Sequence, residues 1–242
     1  MHASSQRVVR ETQRLARMTG FLYVVVFILG MFSPIVLEQL LLPGDAVGTA
    51  ANILGSPGLF GSSLVSWVVI VAVDVAMAAM LYLLLEPAGR ALSLVSAAFR
   101  FVYAAILGTF LLDLYCAFLL LARPEHAAHL QALERQALAL SALETFSAGF
   151  LLALVFFGAH LASLGVLLHR SRYVPRALAV VLAMAGIGYV LHGLASFFVA
   201  GYGGAATAVL LTPAVVGELG LALWLSVKGV RIAPQRSAAG PA

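Results

Sequence analysis

Six times along the chain, a run of about twenty or more apolar residues is followed by a short break rich in Arg, Lys, Pro or Gly. The run Phe60–Leu85 is the purest case, with Asp74 as its one charged residue. A helix needs about 20 apolar residues to cross the roughly 30 Å hydrocarbon core of a bilayer. In water, such runs would need covering on every side. Only 10% of the 242 residues are charged, against about 25% in soluble domains, so the polar surface for that cover is missing. The fold class expected is all-α, an integral membrane bundle of about six transmembrane helices.

The runs predict spans at about 17–37, 60–85, 92–121, 140–168, 175–200 and 209–227. Residues 1–16 carry Arg7, Arg10, Glu11 and Arg14 at near-helical spacing, as in a short helix lying on the membrane surface. Residues 38–59, with Pro43, Gly44, Asp45, Asn52, Gly55, Pro57 and Gly58, are too broken for a span and too apolar for a solvated loop. They are expected to pack over the bundle. A polar connector with Glu125, His126, His129, Glu134 and Arg135 precedes the fourth span, and Pro175 suits the first turn of the fifth. Gly201-Tyr202-Gly203-Gly204 reads as a flexible turn, and 231–242 as a disordered tail. The domain reading is therefore an N-terminal segment 1–16, a membrane domain 17–230 and a tail 231–242. The N-terminus lacks a small-x-small cleavage site and is read as a span, not a signal peptide.

With six spans, one side collects Arg7, Arg10, Arg14, Arg17, Arg90, Arg170, Arg172, Arg176, Lys228, Arg231 and Arg236, while the other holds Arg123 and Arg135. The positive-inside rule then places both termini in the cytoplasm, in a multi-pass membrane protein. The net charge of +4 is accounted for by these segment ends and anionic lipid, with no nucleic-acid partner. The single cysteine, Cys116, excludes a disulfide framework and is read as a small apolar packer.

Seven ionisable residues fall inside spans: Asp74, Arg100, Asp113, Glu144, His160, His192 and Glu218. A charged residue at a helix centre costs about 2.5–3.5 kcal/mol on insertion scales, so such groups turn inward and find partners. By depth they sort into two sets. Arg100, His160, Asp74 and Glu218 lie in the inner half or near the midplane, where Arg100 would neutralise Asp74 or Glu218. Ser96, Arg100 and Tyr103 share a stripe there, and Trp67 lies a heptad from Asp74. Asp113, Glu144 and His192 lie in the outer third, with Thr109 and Cys116 on the face of Asp113, and Tyr189 and Ser196 on that of His192. Two carboxylates and an imidazole there could hold a divalent cation or act as acid and base, although no His-x-x-x-His or His-Glu-x-x-His spacing is present. The ordinary reading of both sets is helix-docking polar contacts. Gly186, Gly188, Gly217 and Gly220 mark close helix approach, and His126 and His129 are expected to be solvated.

Several segments resemble the bacterial domain-of-unknown-function 4386 family: Gly44-Asp45-Ala46-Val47-Gly48-Thr49-Ala50-Ala51-Asn52-Ile53-Leu54, Phe99-Arg100, Phe157-Gly158-Ala159-His160 with Leu164-Gly165, Ser171-Arg172-Tyr173-Val174-Pro175-Arg176, and Gly217-Glu218-Leu219 with Leu223-Trp224-Leu225. The likeness runs from about Arg14 to Val230. Arg172 departs from it, standing where the family pattern has Gly. The resemblance implies a compact membrane bundle with no assigned activity, and its matching polar positions are Asp45, Thr49, Asn52, Arg100, His160 and Glu218.

The residues favour a protein that binds or handles a lipid or small molecule in a polar intramembrane pocket, built from Asp45, Thr49, Asn52, Asp74, Arg100, His160 and Glu218 and covered by the Asp45–Asn52 loop. The alternatives are an intramembrane metal-dependent enzyme using His160, His192 and nearby carboxylates, and a non-catalytic scaffold or transporter subunit. The lipid bilayer is the one partner the composition specifies. Cofactor, metal and oligomeric state are left open at this stage.

Overall fold

The computed structural model describes residues 2–231. Seven α-helices run in the order α1 (His2–Leu40), α2 (Ala46–Gly55), α3 (Pro57–Leu85), α4 (Arg90–Ala122), α5 (Ala132–Ser171), α6 (Arg176–Phe198) and α7 (Ala205–Lys228). Six of them, all but the short α2, are long and apolar enough to cross a membrane. Large apolar side chains point outward along these helices: Leu112 is 68% exposed, Phe21 64% and Val65 62%. Lipid tails solvate such a surface where water would not, because each backbone polar group is already bonded inside its helix.

Consecutive spanning helices pack side by side, and α1 closes the ring against α7. The closure joins both ends of the chain. Gln13 donates from Nε2 to the carbonyl of Val230 at 2.5 Å and accepts from its N–H at 3.1 Å. The N–H of Arg231 donates to the carbonyl of Tyr173 in the α5–α6 turn at 3.0 Å. The start of α1, the end of α7 and the α5–α6 turn thus share one end of the bundle, as an even number of spans requires.

The α5–α6 seam is set by small residues. A Cβ added to Gly186 would lie 2.5 Å from the carbonyl oxygen of Gly158 and 2.8 Å from Cα of Ala162. The two backbones therefore touch where side chains would hold them apart. Gly188 faces α7 in the same way, against Leu210.

Several boundaries differ from the sequence expectation. No break separates residues 1–16 from the first span, because nothing between Arg10 and Gly20 interrupts the ladder and α1 runs through. Within 38–59, Glu38 belongs to α1 and Ala46–Gly55 forms α2, whose Thr49, Ala50 and Ile53 are buried against the bundle. Glu134 and Arg135 lie in the first turn of α5 and not in a separate connector. Gln131 caps that helix, its N–H donating to Oε2 of Glu134 at 2.7 Å. Arg172 adopts the left-handed conformation, φ 57° and ψ 23°, at the C-terminal cap of α5. That is the conformation for which glycine is the usual choice. The expected tail at 232–242 lies outside the described residues.

Pro34 in α1 and Pro213 in α7 each remove one donor from the helix ladder. The antiparallel pairing of Gln13 with Val230, and of Gly20 with Leu225 and Ser226, brings both prolines to about the same depth on the α1–α7 seam.

Candidate functional site

All six spanning helices send a side chain to one polar centre. Arg100 of α4 is its hub and is fully buried, as are Asp74 of α3 and His160 of α5. An unpaired guanidinium at that depth would be prohibitively costly, and every arm of this one is engaged. Nε donates to Oδ1 of Asp74 at 3.0 Å, and Nη2 donates to the same oxygen. Nη1 donates to the Tyr23 hydroxyl of α1 at 2.9 Å and to Nε2 of His160 at 3.0 Å. Met77 sulfur lies 3.6 Å from Nη2, and the Phe157 ring centroid 5.4 Å from the guanidinium carbon, a cation–π contact that water does not weaken here.

The network fixes the state of His160. Guanidinium has donors only, so Nε2 must carry the lone pair and the proton sits on Nδ1, making the imidazole neutral. Nδ1–H donates to the carbonyl of Ser96 at 2.9 Å, while the Ser96 hydroxyl donates to the carbonyl of His160 at 3.3 Å. This reciprocal clasp ties α4 to α5 at the level of the hub. Asp74 is less evenly served. Oδ1 takes both Arg100 bonds, while Oδ2 is buried with no hydrogen-bond partner among the described residues.

A second pair completes the ring. Tyr189 of α6 donates its hydroxyl to Oε1 of Glu218 on α7 at 2.8 Å. Phe157 bridges this pair to the hub, with its ring 5.5 Å from Tyr189, 4.8 Å from Tyr103 and 5.9 Å from His160. Glu218 lies within electrostatic range of Arg100, Asp74 and Tyr23, near the middle of α7. Unlike Asp74, Arg100 and His160 it is only half-buried.

The inner set read from the sequence therefore comes together, with Arg100 choosing Asp74 over Glu218. The outer set does not. Asp113 is half-buried and Glu144 exposed, on faces turned away from the centre. His192 pairs instead with the α6–α7 turn, its Nδ1 2.8 Å from the Tyr202 hydroxyl. Thr109 and Cys116 are exposed beside Asp113, so Cys116 is not a core packer. Among the described residues no three His, Cys, Asp or Glu side chains stand close enough to hold a metal ion. The depth argument failed because depth does not say which way a side chain faces. A carboxylate in the outer third of a span can reach the interface along its own helix.

Asp45, Thr49 and Asn52 build the α1–α2 corner. Asp45 caps α2 by accepting from the Gly48 N–H at 2.8 Å. The Thr49 hydroxyl accepts from the Leu42 N–H at 2.9 Å, and Asn52 donates to the Leu40 carbonyl at 3.3 Å. These three side chains are used in ending one helix and starting the next. Trp67 packs against Phe146 and Phe150, with ring centroids 5.4 and 5.0 Å away, outside the polar centre. Tyr23, Met77, Phe157 and Tyr189 were not singled out as members of the centre. Their signal was a shared depth with Arg100, which only the closed ring makes meaningful.

Residues 18–229 match the family described as "Domain of unknown function (DUF4386)". An "Uncharacterized protein" of Archaeoglobus fulgidus is 31% identical over 170 residues, which cover 70% of this chain and 85% of that protein. The likeness thus extends to an archaeal protein, beyond the bacterial membership expected. No solved structure matches the chain. The match spans the polar centre from Tyr23 to Glu218, and the chain belongs to the DUF4386 family of multi-pass membrane proteins.

Proposed function

We propose that this protein binds a lipid or other small molecule whose polar head docks at Glu218 and Tyr189, with the Arg100 hub as the rigid wall behind it. One observation carries the reading: Glu218 is the single charged member of the centre left partly uncovered, in mid-membrane, with one protein hydrogen bond. An intramembrane carboxylate is expensive, and one that helix docking satisfies through a single bond points to a ligand.

The approach to it supports the same reading. None of residues 205–213, the outer part of α7, is buried. Pro213 frees the carbonyl of Val209, about two and a half turns above Glu218, and Pro34 frees that of Gly30 in α1. A molecule in the outer leaflet would meet an uncovered stretch of helix above the carboxylate. The end rich in Arg and Lys is taken as cytoplasmic by the positive-inside rule, in an inner membrane, with both termini on that side.

The test is native mass spectrometry of the detergent-purified protein beside Glu218→Gln. The reading predicts a retained non-protein mass in the parent that is lost in the variant, with both folded. The same adduct on both proteins, or none on either after extraction in several mild detergents, would overturn it.

A further inference from the structure

The polar centre is unevenly charged. Within mutual electrostatic range stand two carboxylates, Asp74 and Glu218, and one guanidinium, Arg100. The second basic group, His160, is neutral, because Arg100 donates to its Nε2. The phenols of Tyr23, Tyr103 and Tyr189 add no charge. Arg100 is committed to Asp74 through two bonds to Oδ1, which leaves Glu218 without a cation.

The hydrogen bonds are unbalanced in the same sense. Asp74 Oδ2 is a buried acceptor with no donor, and Glu218 receives one bond, from Tyr189. Every donor of the Arg100 guanidinium is already directed at a partner. With Glu218 ionised, the centre is short of one positive charge and of at least one donor. Tyr189, which touches Glu218, is backed by further aromatic rings. Phe157 touches Tyr103 and Tyr189 at 4.8 and 5.5 Å, and Glu218 is within electrostatic range of Tyr23, Tyr103 and Tyr189. An aromatic side chain next to a carboxylate, as Tyr189 is to Glu218, favours an ammonium.

We infer that the head group docking at Glu218 is a cationic ammonium carried on an apolar chain, an amine amphiphile entering from the bilayer. This rests on the ligand reading above and narrows it to one chemical class. An ammonium restores the missing charge, offers up to three donors, and leaves its chain along the uncovered outer part of α7. An anionic head would instead bring a second negative group towards Glu218.

The probes are n-octylammonium, n-octanol and n-octanoate, titrated into purified protein in a neutral detergent and followed by thermal unfolding. Octylammonium is expected to raise the unfolding midpoint saturably, and octanol and octanoate are not. Glu218→Gln, nearly isosteric, is expected to weaken octylammonium roughly tenfold to hundredfold, the loss of one charge-assisted hydrogen bond. Tyr189→Phe serves as a second variant and is expected to weaken it less. Equal shifts from octanol and octylammonium, both lost in Glu218→Gln, would overturn the charge inference and leave the docking site standing. Shifts unchanged in both variants would overturn the site as well. An infrared band of a protonated carboxylic acid that Glu218→Gln removes, with no response to octylammonium, would show that a proton supplies the charge and would also overturn the inference.

Discussion

Arg100 and Glu218 sit within electrostatic range of each other in one ring of helices, yet the chain treats them in opposite ways. Arg100 is fully buried, and each arm meets a partner drawn from α1, α3 or α5. Glu218 is half-buried and accepts one bond from a neighbouring helix. A charge with all its partners inside the fold has been used to fix how helices dock. One with spare capacity and an approach from outside has been left for something else. On the function proposed above, the difference separates helix docking from ligand binding more surely than depth in the membrane, which grouped Asp113 and Glu144 with His192.

The sharpest way to break this contrast is to remove a partner on the sealed side. Asp74→Asn leaves Arg100 charged and uncompensated, and is expected to destabilise the fold by about 3–5 kcal/mol, read as a lowered midpoint of denaturant unfolding in detergent. A loss below about 1 kcal/mol would mean that the hub does not hold the bundle. Next in size is Gly186→Leu, which forces a side chain against Ala162 and the Gly158 carbonyl. A cost of about 1–3 kcal/mol or more is expected, with loss of the α5–α6 seam visible as faster hydrogen exchange in both helices.

Smaller effects mark places away from the comparison. Arg172→Gly relieves the left-handed cap of α5 and is expected to stabilise by about 1 kcal/mol, seen as a higher thermal midpoint; a decrease would show that the arginine side chain outweighs the backbone strain. Glu144→Gln, on an exposed face, is expected to stay within about 0.5 kcal/mol of the parent by the same assay. A larger loss would reinstate the outer site.

Much of this was legible in the residues. Six apolar runs define six spans because the bilayer sets a length that few other environments demand. Asp74, Arg100 and His160 stand out because a lone charged or polar ring inside an apolar run must find partners. Tyr23 was hidden, and Tyr189 was placed with His192 instead, because a tyrosine in a span costs little and signals little until its hydroxyl is seen against a charge. The continuity of α1 through Arg17 was missed because a change from polar to apolar marks the membrane surface and not the end of a helix. Asp45, Thr49 and Asn52 were read as pocket residues although Asp followed by Gly three positions later also suits a helix cap. At Arg172 the departure from glycine identified a turn that does adopt the left-handed conformation.

The most direct test of the central claim sets Glu218→Gln beside Asp74→Asn in one experiment that reads both the unfolding midpoint and the retained ligand by native mass spectrometry. The account predicts that Glu218→Gln unfolds within about 1 kcal/mol of the parent and carries no ligand, while Asp74→Asn is strongly destabilised. If Glu218→Gln unfolds as readily as Asp74→Asn, or keeps the ligand mass, the two sides of the centre do not differ and the account is wrong.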